Sequence, residues 1–315
     1  MDVLMLSERD VRRLLEPDAL LDALAAEFVA LSAGGVSAPK RSELSADSAG
    51  ALFLMPAYRP GRALTTKLVS LFHGNEALGL PGHHALICLF DAHTGVALSV
   101  MDGTYITAMR TAGTAALTTR LLARPDVRTL AIIGAGVQAH AHLAIVPHVR
   151  EFTEIRIASR RLEHAEELAS MDARAHVAVS IEEAVRGADV VCLCTNAAES
   201  VIQSEWLNSG THVTSVGYRP PGGELDRTVI EQGHLFVETR LAFEPPPAGC
   251  GELAGLDSET GTEIGEVLSG ARPGRRSETE VTVFKSMGHA CEDMAAANLV
   301  YERARQERVG TLVAL

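Results

Sequence analysis

Between Thr129 and Ala139 an apolar, β-forming run, Leu130-Ala-Ile-Ile133, breaks into Gly134-Ala-Gly136 and continues as a helix-compatible segment. A dinucleotide pyrophosphate needs that order. Gly134 permits the tight turn, Gly136 lets the backbone approach the phosphates, and Ala139 lets helix and strand pack closely. Val137 and Gln138 open the helix, where free N–H groups and the dipole point at an anion. The motif lies near the middle of the chain: about 125 residues precede it, enough for a domain of their own.

The context supports the motif. Val137 to about Arg150 is apolar on one face, as a crossover helix should be, with Pro147 marking its last turn, and Glu154-Ile-Arg-Ile-Ala158 reads as the second strand. An NAD site usually has an Asp or Glu at the end of that strand for the ribose 2′-hydroxyl. Here the position reads Ser159-Arg160-Arg161, with no carboxylate before Glu163. A hydroxyl and two guanidinium groups suit a 2′-phosphate, so NADP(H) is the expected cofactor and NAD(H) the alternative. The competing reading makes the two arginines solvated residues at a helix start.

Composition fits a cytoplasmic enzyme of about two domains. The chain has 315 residues, 47% of them hydrophobic, and a formal charge of −12, which disfavours nucleic acid or an anionic membrane as partner. The N-terminal Met1-Asp-Val-Leu-Met-Leu-Ser-Glu8 does not read as a signal peptide, and no run approaches a membrane span. The five cysteines, Cys88, Cys192, Cys194, Cys250 and Cys291, form no CxxC pair, and their odd count argues against a disulfide framework. His83 and His84 would face opposite sides of a strand, so no metal site is expected.

The region before the motif has its own logic. Ser7-Glu-Arg-Asp10 resembles a helix N-cap, and Leu14, Leu15, Leu20, Leu21, Leu24 and Phe28 form an apolar helical face. Then Ala51–Met55, Leu64–Phe72, His84–Phe90 and Val96–Met101 read as a meander of antiparallel strands, with Asp91–Gly95 as a turn. Such a sheet must be covered on one face by helices or by another subunit. Three cations stand out: Arg41 before the first strand, Lys67 inside an apolar strand, and Arg110 at the opening of an expected helix. A lysine among apolar neighbours needs a counter-charge or a path to water. A substrate carboxylate would supply the first, and a solvated side of the sheet the second. Arg41, taken alone, is equally well read as a solvated loop residue.

Taken together, Pro39-Lys-Arg41, Leu54-Met-Pro56, Lys67-Leu-Val69, Gly79-Leu-Pro81, Thr107-Ala-Met-Arg110, Gly134-Ala-Gly136-Val-Gln138, Ser159-Arg160, Glu224-Leu-Asp226 and Phe284-Lys-Ser-Met-Gly-His-Ala-Cys-Glu-Asp293 resemble the ornithine cyclodeaminase and μ-crystallin family in order along the chain. The resemblance implies an α/β fold: a Rossmann dinucleotide-binding domain, residues 116–292, inserted into an α+β substrate and dimerisation domain with an antiparallel sheet, residues 1–115 plus 293–315. It implies a homodimer whose sheets meet, which would cover the meander. It also implies that Arg41, Lys67 and Arg110 hold a substrate carboxylate, that Lys67 and Asp293 are the catalytic pair, and that Thr195 and Asn196 line the cofactor cleft.

Members of this family exchange hydride between nicotinamide and the α-carbon of an amino or imino acid. Ornithine cyclodeaminases carry an Asp in the loop that here reads Val216-Gly-Tyr218-Arg-Pro-Pro221, at the place of Tyr218, and a Glu before the Leu-Met-Pro triplet, at the place of Phe53. A phenol is a poor base near neutral pH, and Phe53 is none. Losing both acids favours reduction of a small imine carboxylate, such as pyrroline- or piperideine-2-carboxylate, or related amino acid dehydrogenation. The alternatives are an ammonia-releasing cyclodeaminase of ornithine or lysine using bound NAD, and a non-catalytic, crystallin-like NADPH binder. Later in the chain, Phe243–Gly251 reads as a proline-rich loop, and Glu252 and Asp257 as solvated loop acids rather than active-site acids.

Overall fold

In a computed structural model of the chain, which describes residues 2–72 and 74–314, the elements run as follows. β1 (Asp2–Leu6), α1 (Glu8–Leu14) and α2 (Pro17–Ser32) lead into β2 (Ser42–Ala46), β3 (Gly50–Arg59), β4 (Ala63–Phe72), β5 (His83–Phe90) and β6 (Ala97–Asp102). The long α3 (Thr104–Leu122) precedes β7 (Thr129–Ile133), α4 (Val137–Ile145), β8 (Glu154–Ala158), α5 (Leu162–Ala169), β9 (Ala175–Val177), α6 (Ile181–Val185), β10 (Val190–Leu193) and β11 (His212–Ser215). Then come α7 (Arg227–Gln232), β12 (His234–Val237), β13 (Thr262–Glu263), α8 (Ile264–Leu268), β14 (Thr282–Lys285), α9 (Ala290–Glu307) and β15 (Thr311–Ala314).

Two compact units result. One comprises the chain up to Arg110 together with His289 onward, and the other Thr111–Gly288. The sequence reading set the breaks at 115/116 and 292/293; here the first falls inside α3.

The first unit is built on a seven-stranded sheet in the order β15-β1-β6-β5-β4-β3-β2. From β2 to β6 each strand pairs antiparallel with the next, as the alternation of the sequence predicts. The sheet is larger than that meander: β1 joins β6 in parallel and β15 joins β1 antiparallel. Their partners lie far away in sequence, so no local pattern announces them. Ser7 caps α1 in a reciprocal box with Asp10, as expected. Helix α3 begins at Thr104, earlier than Arg110, because Asp102 accepts the backbone N–H groups of Thr104 at 3.3 Å and Tyr105 at 2.8 Å. Arg110 therefore sits within the helix and does not open it.

One face of this sheet packs against α9, which also packs on α2. Register places Met55, Lys67, Ile87 and Met101 in one row across that face, with Phe53, Val69 and Ala85 in the next, and Leu71 and His83 beyond. The opposite face carries Leu54, Leu68 and Leu86 in one row, and Leu54 and Leu86 remain 38% and 52% exposed.

The second unit is an eight-stranded, wholly parallel sheet in the order β13-β12-β14-β11-β10-β7-β8-β9. All four residues of both β10 and β11 are buried, as parallel strands covered on both faces must be. From β7 the chain builds outward through β8 and β9 on one side. It then returns to place β10 on β7's other side. That reversal marks the crevice at which doubly wound sheets bind ligands. No described helix is long and apolar enough to cross a membrane.

Candidate functional site

The glycine turn leads from β7 into α4 at this reversal. Gly134 has φ +117°, and a Cβ there would lie 2.5 Å from the carbonyl oxygen of Cys194, just after β10. Its bareness is an internal requirement. Gly136 differs: a Cβ there would meet nothing within 4 Å. It is the N-cap of α4 with no side-chain cap, so the first amides of the helix face open space. Val137 is 69% exposed, and the side-chain Oε1 of Gln138 is buried without a hydrogen-bond partner. Ala139 is fully buried against the sheet. An uncapped helix start and open space fit a dinucleotide phosphate.

At the end of β8, Ser159 Oγ accepts the N–H of Arg161 at 3.3 Å, while Arg160 is exposed. After β10, Asn196 is exposed, whereas Thr195 turns inward: its N–H and its hydroxyl both donate to Glu224 Oε2, each at 2.7 Å. Glu252 is not the solvated loop acid of the sequence reading. It is 8% exposed and pairs with the fully buried Lys285 at 2.6 Å. Nothing in the proline-rich stretch around it signals burial, since the partner is contributed by β14. Asp257 is exposed, as expected. Tyr218 accepts the N–H of Gly251 at 3.2 Å.

The first unit gathers a second group. Lys67 projects from β4 towards α9 and is 2% exposed, which removes the reading of a solvated sheet residue. Its Nζ lies 3.0 Å from Oδ1 and 2.8 Å from Oδ2 of Asp293. Arg110 reaches the same carboxylate through Nε at 3.1 Å, and Glu292 through Nη1 at 3.2 Å. The sequence reading missed Glu292; adjacent acids at the start of a helix suggest a cap, and Glu292 does accept the N–H of His289 at 2.5 Å. Arg41 is half-buried and close enough to depress the pKa of Lys67 and of His289.

Burial pulls Lys67 down from 10.5 to about 8, against the opposing pull of Asp293; Arg110 and Arg41 add to the depression. Asp293 is itself held below its usual range because Lys67 and Arg110 outweigh its burial. Two histidines border the cluster, neither of them foreseen in this role. His83, on the Lys67 face of the sheet, is pushed down to about 4 by burial and by the charges of Lys67 and Arg110. His289 is likewise lowered by burial, and its Nδ1 accepts the N–H of Cys291. Both are therefore neutral at pH 7. Lys67 and Arg110 pair with the carboxylates of Asp293 and Glu292, and Arg41 is a third cation close enough to act on Lys67 and His289. Guanidinium and ammonium groups gathered in this way suit a small carboxylate. Among the described residues no cluster of three or more His, Cys, Asp or Glu could hold a metal ion.

The chain resembles known proteins over nearly its whole length. The model of the ornithine cyclodeaminase/mu-crystallin family matches residues 1–308. The chain is 40% identical over 305 residues to ketimine reductase mu-crystallin of Mus musculus, covering 94% of this chain and 96% of the relative. Its fold matches that of Thermococcus litoralis Delta(1)-pyrroline-2-carboxylate reductase in complex with NADH and L-proline, with TM-score 0.92, 32% identity, and coverage of 99% of this chain and 100% of the other. It also matches an archaeal alanine dehydrogenase dimer with bound NAD, with TM-score 0.91, 30% identity and full coverage of both chains. The chain belongs to the ornithine cyclodeaminase/mu-crystallin family.

Proposed function

We propose that this protein is an NAD(P)H-dependent reductase of small imine carboxylates, with cyclic imino acids such as pyrroline- or piperideine-2-carboxylate as substrates. The buried cluster of Lys67, Arg110, Glu292 and Asp293, with the half-buried Arg41 beside it, carries the reading. The relatives named ketimine reductase and pyrroline-2-carboxylate reductase support the same chemistry. When bound, NAD(P)H would supply the hydride for the imine carbon. Arg41, Lys67 and Arg110 bind the substrate carboxylate and fix the orientation of the C=N bond. Asp293 keeps Lys67 charged, and below about pH 8 Lys67 holds a proton that water can relay to the imine nitrogen.

Phe53 lies on the Lys67 face of the sheet, in the neighbouring row, and supplies an apolar wall in place of a carboxylate. A diamino acid would bring a second ammonium group to a site already lined by Arg41, Lys67 and Arg110, with no carboxylate at Phe53 to meet it. That weighs against a cyclodeaminase. Ser159 and Arg160 at the end of β8 favour NADPH over NADH. Gly134, Gly136, Val137 and Gln138 would hold the pyrophosphate, and Asn196 would border the cofactor. The apolar row Leu54, Leu68 and Leu86 supports a homodimer through the outer sheet face, in keeping with the dimeric archaeal relative. Leu86→Glu should then halve the mass in sedimentation.

Supplied with NADPH and pyrroline-2-carboxylate, the protein should oxidise one NADPH per cyclic amino acid formed. Ammonia release from ornithine, with no net change at 340 nm and no activity on the imine, would overturn the proposal.

A further inference from the structure

Glu224 has no role in the chemistry above, yet it is fully buried and satisfied by four donors. Oε2 accepts the N–H and the hydroxyl of Thr195, both at 2.7 Å. Oε1 accepts Ser215 Oγ at 3.0 Å and the N–H of Gly217 at 2.6 Å. Thr195 lies in the loop after β10, whereas Ser215 ends β11 and Gly217 lies in the loop that follows it. One carboxylate thus fastens two neighbouring loops at the ligand-binding end of the parallel sheet. The fit leaves no slack: a Cβ on Gly217 would lie 1.9 Å from the Thr195 carbonyl oxygen and 2.7 Å from Glu224 Oε2.

A second carboxylate backs the first. Glu252 accepts the N–H of Leu225 at 2.9 Å and pairs with Lys285, whose Nζ also donates to Ser215 Oγ at 3.1 Å and to the Gly217 carbonyl at 2.7 Å. All these contacts are made among the chain's own groups. Loops at the ends of parallel strands otherwise lose conformational freedom when a ligand orders them, and that loss weakens binding.

We propose that Glu224 is a positioning residue for the dinucleotide. It holds the Thr195–Asn196 and Ser215–Gly217 loops in their binding conformation before the cofactor arrives. The inference rests on the reading that Thr111–Gly288 binds NAD(P)H. It also gives the Glu224-Leu-Asp226 motif a physical task. Glutamine is the informative replacement. It keeps the shape of Glu224 but has one acceptor oxygen and one donor nitrogen, so it can serve one loop and must oppose the N–H of the other.

The test combines amide hydrogen exchange on the wild-type protein with fluorescence titration of NADPH on wild type and Glu224→Gln. The Thr195 and Gly217 amides should be protected without cofactor, and NADPH should slow them further by less than about threefold. Glu224→Gln should raise the Kd for NADPH at least tenfold, with the KM for the imino acid and kcat at saturating NADPH within about twofold of wild type. Unprotected Thr195 and Gly217 amides in the cofactor-free protein would overturn the inference, even if the variant failed to fold. So would a variant Kd within twofold of wild type, or a fall in kcat that tracks lost thermal stability. A wild-type protein that bound neither NADPH nor NADH would overturn the cofactor reading as well, which separates the two failures.

Discussion

Replacing Asp293 by Asn removes one charge from a cluster in which it touches two cations, Lys67 at 2.8 Å and Arg110 at 3.1 Å. Unit charges about 3 Å apart attract by roughly 5–6 kcal/mol at an effective dielectric of about 20. A quarter of that, about 1.4 kcal/mol, is enough to move an ionisation by a whole pH unit. Asp293 raises the pKa of Lys67, and burial, Arg110 and Arg41 lower it, with a balance at about 8. Without the carboxylate only the lowering influences remain, so Lys67 loses its proton at lower pH.

The wild-type kcat/KM for imine reduction should therefore fall as pH rises through about 8, because this ratio reports ionisations of the free enzyme. In Asp293→Asn the same limb should move to lower pH by about one unit or more. The substrate's own titration is common to both enzymes and cancels in the comparison. Breaking a buried pair costs about 3–5 kcal/mol of stability, and release of the Lys67 proton should hold the loss near the lower figure. For the wild type the folded pKa lies below the unfolded 10.5, so the unfolded chain binds more protons between about 8 and 10.5. The Lys67 contribution to stability therefore increases with pH over that window. Steady-state rates from pH 6 to 10, with urea unfolding alongside, measure both effects. An unmoved limb in Asp293→Asn would refute the electrostatic reasoning.

Two further substitutions separate fold from binding in the second unit. Gly136→Ala meets no neighbour within 4 Å, so it should unfold like wild type while weakening NADPH by about 10-fold or more in a fluorescence titration. Gly134→Ala, at φ +117° and 2.5 Å from Cys194, should lower stability in the same urea experiment. Arg160→Ala should weaken NADPH by about tenfold and leave NADH unchanged; equal effects on the two cofactors would remove the 2′-phosphate reading.

What was legible in the sequence had short-range causes. Strand, turn and helix at Thr129–Ala139 are set by neighbouring residues, and so is the capping of α1 by Ser7 and Asp10. Lys67 was conspicuous because strand alternation put a cation among apolar residues. Its partner was not legible from spacing: the Lys67–Asp293 contact joins residues 226 apart in the chain. The same holds for β15 on β1 and for Lys285 on Glu252. Buried acids such as Glu224 and Glu252 look like loop residues until the cation or the amides that hold them are in place. The true start of α3 is hidden because the residue that caps it, Asp102, is also the last residue of β6.

The most direct test of imine reduction follows the hydride itself. Wild-type enzyme is given NADPH deuterated at the transferable C4 position together with pyrroline-2-carboxylate, and the product is examined by mass spectrometry and proton NMR. The account predicts one deuterium on the α-carbon of the cyclic amino acid for each cofactor oxidised. Product formed without deuterium at that carbon, or no product under conditions where NADPH is bound, would contradict it.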